Sequence, residues 1–207
     1  MGSSKGAAMF PRMAAFCPLC GTATIKREIE GRQLDSCPAC GHVQWRNPVV
    51  ATAVIVETGG GVVLGRRAIE PGYGLWCLPG GFVNDDEHPE AAARRECQEE
   101  IHAEVGDLRL LDVYHVTRGD GSGMLVLAYR ARLAGGARPE AGHEMLQVDV
   151  FGLEALPQLA FSSHRQALDD YLAITSGRGG GRERGPTPER PGAAENHDQR
   201  KGEAEQG

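Results

Sequence analysis

The chain has 207 residues and a formal net charge of −6. That length holds one main domain of about 100–200 residues with room for a small accessory module. The acidic balance argues against bulk nucleic-acid affinity, because phosphate binding leaves a basic footprint, and no apolar run is long enough to span a membrane. Residues 1–15 read as a flexible lead-in, too weak in apolar length for a secretory signal, so the expectation is a cytoplasmic protein.

Six cysteines follow the lead-in, and four of them form two pairs: Cys17-Pro18-Leu19-Cys20-Gly21 and Cys37-Pro38-Ala39-Cys40-Gly41. The spacing C-x2-C-x16-C-x2-C suits a zinc site rather than a disulfide framework. Zinc needs four thiolates in a tetrahedron, and each short turn presents two of them. The set is closed, so the expected Zn²⁺ is structural. The arrangement resembles a zinc ribbon, placed at residues 16–46. Cys77 and Cys97 stand in apolar surroundings and read as inert core thiols.

Trp45-Arg46-Asn47-Pro48 reads as a linker. Val49–Val56 is nearly continuous in apolar and β-branched residues and predicts a buried central strand. Gly59-Gly60-Gly61 turns the chain into a second strand through Arg67, as a hairpin. Arg67 is suited to a carboxylate, a substrate phosphate or a surface salt bridge. Trp76 reads as core packing rather than a base-stacking platform. Pro79-Gly80-Gly81 bends the chain and allows close approach by a ligand.

A helix begins at Pro89, a residue suited to the first turn, and Glu90 favours the positive end of its dipole. Ala93, Cys97 and Ile101 form an apolar row. Glu96, Glu99 and Glu100 fall at i, i+3 and i+4 and share one arc beside it. Three carboxylates this close repel unless a cation joins them, and Mg²⁺ binds such hard oxygen donors. Taken alone, the three glutamates also read as a solvated acidic face.

Beyond the helix, residues 108–116, 124–133 and 145–151 read as strands, with His143 and Glu144 on the loop before the last. Gly152–Pro157 is expected to form a short turn of helix. Ser162 or Ser163 is expected to cap a final helix running to about Ile174, with Ala167, Leu168, Tyr171 and Leu172 on its apolar side. From 176 to 207 bulky apolar residues vanish, and a disordered tail is expected.

Gly81-x5-Glu87-x7-Arg95-Glu96-Cys97-x-Glu99-Glu100 resembles the Nudix box. Where the family has a second Gly this chain has His102, and Ala103 is small for its apolar position. The departure bears on the helix end, where a left-handed backbone is wanted, at a cost to His of roughly 1–2 kcal/mol. The resemblance covers about residues 49–175, within a domain placed at 47–175. It implies an α+β fold, the Nudix α/β/α sandwich around a mixed sheet. It implies a hydrolase that breaks the diphosphate bridge of a small nucleotide derivative. By position, Glu96, Glu99 and Glu100 would hold Mg²⁺ or Mn²⁺, and Arg95 would brace the loop through Glu87. The base would be Glu96 or Glu144, and Arg67, Gly80 and Gly81 would meet substrate. A ribbon before such a domain occurs in two branches. The NADH pyrophosphatases carry S-Q-P-W-P-F-P-x-S after the box, which LLDVYHVTRGDGSG lacks. The branch of FAD and ADP-ribose pyrophosphatases is closer, at Asn47-Pro48, Gly74–Pro79 and Leu159–Ser163. A nucleotide-sensing regulator and a nucleoside triphosphate sanitiser share these features as alternatives, and a homodimer is one option for the assembly.

Overall fold

The computed structural model of the protein describes residues 16–135 and 138–176. The expected lead-in, and all of the expected tail but Ser176, lie outside the described residues. The described residues divide into two compact units, one built on residues 16–44 and the other on 45–135 and 138–176.

The first unit is a three-stranded antiparallel sheet of β1 (Ile25–Ile29), β2 (Arg32–Ser36) and β3 (Val43–Gln44). Each Cys-x-x-Cys turn closes in the same way. Gly21 N–H donates to Cys17 O at 2.9 Å, and Gly41 N–H donates to Cys37 O at 3.0 Å. Both glycines sit at left-handed φ, 71° and 76°, which a side chain would resist. Leu34 is the one fully buried aliphatic residue among those described in this unit.

The second unit contains β4 (Val49–Thr58), β5 (Gly61–Arg67), β6 (Trp76–Cys77), α1 (Pro89–Ile101), β7 (Val105–Thr117), β8 (Gly123–Leu133), β9 (Met145–Phe151) and α2 (Ser162–Thr175). The sheet order is β6-β5-β4-β8-β7, with β9 also on β5. β4 runs parallel to β8, while β7 and β8 are antiparallel, so the sheet is mixed. Alternate faces of β4 feed two cores. Ala53 and Ile55 pack with Leu64, Leu168 and Tyr171 on the α2 side. Val54 and Val56 pack with Ala93, Cys97 and Ile101 on the α1 side. The α/β/α sandwich follows from this alternation.

The β4–β5 hairpin pairs only near its turn, at Glu57↔Val62 and Thr58↔Gly61. The strands then part. Further back along β4, the segment 79–83 takes the vacated edge, with Thr52 N–H donating to Gly81 O and Val54 N–H to Pro79 O, both at 2.8 Å. This parting brings the Gly80-Gly81 bend into the middle of the sheet.

Two local expectations are corrected. Gly152–Pro157 forms turns, with one Ala155 N–H to Gly152 O bond of 3.0 Å, and no helix. Ser162 and Ser163 do not cap α2: Phe161 occupies the cap in extended backbone, and no side chain bonds the free amides. His164 lies in the first turn of α2, where its Nδ1 accepts the Leu78 N–H. Trp76 packs on the α2-side core, edge-on to Phe151 at 4.7 Å.

Candidate active site

α1 starts where the sequence puts it, because Pro89 fits the first turn and His88 Nδ1 accepts the Glu90 N–H at 3.3 Å. Its last residue is followed by His102 at φ 48° and ψ 35°, with the His102 N–H on Cys97 O. The His therefore adopts the left-handed backbone that closes the helix, and Ala103 is fully buried beside Ile101.

Arg95 is the hub of the acidic face. Its Nη2 lies 2.6 Å from Glu87 Oε1 and its Nε 3.1 Å from Glu87 Oε2, a two-pronged pair. Nη2 also donates to Phe82 O at 3.0 Å, which ties the loop to the helix. Nη1 donates to Glu96 Oε1 at 2.8 Å and to Glu99 Oε2 at 3.0 Å. The guanidinium, and then the Asn84 amide, hold the Glu87 carboxyl below its ordinary range.

Glu100 turns the other way, into the sheet. It is 5% exposed, and its Oε2 accepts the Gly80 N–H at 2.9 Å. Burial pushes its carboxyl up to about 8; the Gly80 bond opposes this, and the charges of Glu96 and Glu144 add to it. Burial also raises Glu96, against the pull of Arg95, with Glu99 and Glu144 adding to the rise. Glu144 thus shares the field of both box carboxylates. Its carbonyl accepts the Ala68 N–H at 2.8 Å, which pins the loop to the end of β5.

Three glycines make this crowding possible. A methyl on Gly81 would lie 2.5 Å from Glu96 Oε1, one on Gly80 2.2 Å from Thr52 O, and one on Gly142 1.9 Å from Glu99 O. Gly142 does not stand out in the sequence pattern, although a Gly two residues before Glu144 is a usable sign of close packing. Arg67 is buried rather than a surface ion-pair partner: its Nε donates to Pro71 O at 2.7 Å and its guanidinium lies 5.0 Å over the Phe161 ring. Cys77 and Cys97 are buried core thiols, and burial pushes Cys77 up to about 12.

The donor set suits a hard divalent cation, since it consists of carboxylate oxygens with excess negative charge. Arg95 bridges Glu96 and Glu99, while Glu100 turns away to the Gly80 amide. Among the described residues, only the four ribbon cysteines bring their ligand atoms all within 4.8 Å of one another. Their Sγ···Sγ distances include 3.4 Å for Cys20–Cys37, 3.6 Å for Cys17–Cys40 and 3.7 Å for Cys20–Cys40. A tetrahedron of zinc–sulfur bonds has edges of about 3.8 Å, so the thiols fit a structural zinc.

The NUDIX domain sequence model matches residues 46–171. An ADP-ribose pyrophosphatase of Methanocaldococcus jannaschii is 32% identical over 131 residues, covering 63% of this chain and 77% of that protein. The NAD-capped RNA hydrolase NudC of Deinococcus radiodurans is 31% identical over 170 residues, 79% of this chain, and the chain spans 59% of that protein's length. The crystal structure of a NUDIX hydrolase from Nitrosomonas europaea superposes with a TM-score of 0.68 at 32% identity, covering 78% of this chain and 92% of that one. An arginine-braced run of glutamates on one helix, set against a glycine bend in a split mixed sheet, is thus found where the domain match and the solved relative both lie, and the chain belongs to the Nudix hydrolase family.

Proposed function

We propose that the chain adds water across the diphosphate bridge of a small nucleoside diphosphate derivative, with ADP-ribose ahead of FAD, releasing AMP and the second phosphate product. Glu100 carries this reading. It is a buried carboxyl beside the charges of Glu96 and Glu144, and its bonded partner is the Gly80 amide rather than a cationic side chain. Such a group favours a cation-bearing ligand.

In this reading Glu96, Glu99 and Glu100 hold Mg²⁺ or Mn²⁺. When bound, the ions neutralise phosphate charge and make water a better nucleophile at neutral pH. The Glu87–Arg95 pair keeps the helix and the preceding loop in one geometry. Gly80 and Gly81 leave the room in which Thr52 and Glu96 close on the bend, rather than room for substrate. Glu144 takes the proton of the attacking water, because Glu96 is already engaged by Arg95. Cys17, Cys20, Cys37 and Cys40 hold one structural Zn²⁺.

ADP-ribose is supported by the archaeal relative and by the sequence features shared with the FAD and ADP-ribose branch. A second reading, cleavage at a nicotinamide cap of RNA, is favoured by the Deinococcus relative. Residues 110–123 weigh against it, since they lack the motif of the NADH branch. Purified protein assayed with Mg²⁺ and with Mn²⁺ against ADP-ribose, FAD, NADH, a nucleoside triphosphate and NAD-capped RNA tests the choice. ADP-ribose should have the highest kcat/KM. A higher value for capped RNA overturns the substrate assignment. Tight binding of a nucleotide with no turnover of any replaces the enzyme with a sensor.

A further inference from the structure

Leu78 is fully buried two residues before Gly80, and its N–H has no strand partner. A buried amide without an acceptor costs about 1–3 kcal/mol. The residue that meets this need lies far along the chain: His164 Nδ1, in the first turn of α2, accepts the Leu78 N–H at 3.1 Å. Pro79 follows and has no N–H of its own. The next amide is Gly80, which donates to Glu100 at 2.9 Å, and Gly81 then passes against the Glu96 carboxylate. One short segment therefore joins α2 to two of the box glutamates.

The imidazole is built to act as an acceptor. It is 7% exposed, and Phe161 meets its ring edge-on at 4.9 Å. The guanidinium of Arg67 covers the Phe161 ring, and Pro71 O anchors Arg67 in turn. Burial, with Arg67 adding, draws the imidazole down to about 3, so the ring is neutral. With Nδ1 accepting, the single ring proton sits on Nε2.

We infer that His164 is a positioning residue of the hydrolytic site, holding segment 78–81 through the Leu78 amide so that Gly80 and Gly81 set the places of Glu100 and Glu96. The inference rests on the reading of Glu96, Glu99 and Glu100 as the set that holds the divalent cation. It adds a residue outside the box, on the opposite face of the sheet, to the geometry of the box.

Full-length His164→Leu and His164→Asn test it. Leu keeps apolar bulk and removes the acceptor. Asn returns an acceptor oxygen close to the place of Nδ1. Mn²⁺ affinity is read by titration of the free ion, and kcat and KM for ADP-ribose are read at saturating Mn²⁺. His164→Leu should lose roughly 10- to 100-fold in kcat, the range that a small misplacement costs, with weaker Mn²⁺ binding and little change in KM. His164→Asn should recover most of both. Wild-type kcat and Mn²⁺ affinity in the Leu variant overturn the inference and leave the hydrolase reading standing. A folded Asn variant no better than Leu also overturns it, since the histidine then contributes bulk alone. Should Leu fail to fold, Asn is compared with His164→Gln, whose acceptor sits one methylene farther out, and equal Mn²⁺ affinity in the two overturns the inference. Wild-type protein that binds Mn²⁺ but hydrolyses nothing sinks the activity reading, and the Mn²⁺ titration still decides His164. Wild-type protein that binds no Mn²⁺ overturns both.

Discussion

Glu100 carries opposite demands with and without a bound cation. Without one its burial favours the protonated form, with the folded group near 8 and an ordinary value of 4.5. Because the folded value is the higher one, this contribution to stability is fully present below about 4.5 and is lost as pH rises through about 8. A tenfold change in proton affinity is worth about 1.4 kcal/mol. Glu100→Gln removes the loss, so in chelator the variant should gain on the wild type between these two pH values, by a few kcal/mol at most. Thermal melts of both proteins across that range check it, and parallel curves reject it. In Mg²⁺ or Mn²⁺ the same change should cut hydrolysis by two or more orders of magnitude, as should Glu99→Gln; the comparison is made at saturating metal. These residues are legible in the sequence because helical spacing is local. His164 is not, because its partner amide lies far away in the chain. Its one sign is a polar residue at the head of the apolar stripe Ala167, Leu168 and Tyr171 on α2.

At the scale of elements, the close of α1 shows a rule broken and met together. His102 holds φ 48° without being a glycine. The strain is about 1–2 kcal/mol, offset in a glycine by roughly 0.5–1 kcal/mol of unfolded-chain entropy. His102→Gly should therefore stabilise the protein by roughly 0.5–1 kcal/mol, or about 1–4 °C in Tm for a domain this size, with hydrolysis unchanged. A lower Tm for the variant would show that the His102 side chain contributes packing that outweighs the strain. The helices and strands are mostly legible, since Val49–Val56 is apolar throughout and α1 is rich in strong helix formers. Their arrangement is not. The parallel β4–β8 register and the pairing of β9 with β5 depend on contacts between distant segments. The start of α2 departs from the sequence pattern because serine favours the cap position, whereas burying His164 against the Leu78 amide decides the backbone.

For the molecule as a whole, the two units differ in how they are held together. The larger has two buried clusters on the faces of one sheet. The smaller has Leu34, two buried cysteines and little else among its described residues, too small a core for a self-sufficient fold. Zinc bound by four thiolates is expected to supply the difference. Elemental analysis should find one zinc per chain, and Cys37→Ser should abolish it; zinc-free protein with all four thiols open to alkylation rejects the assignment. The pairing of β5 with β9 also ties the site to the order of synthesis. A nascent chain that has emerged through Ile101 already contains every box glutamate. β5 still lacks the neighbour that runs from Met145 to Phe151, and Ala68 still lacks the carbonyl of Glu144. The helix bearing the acidic residues is thus translated well before the strand that completes their surroundings, and the growing polypeptide carries an unpaired β edge until its C-terminal third leaves the ribosome.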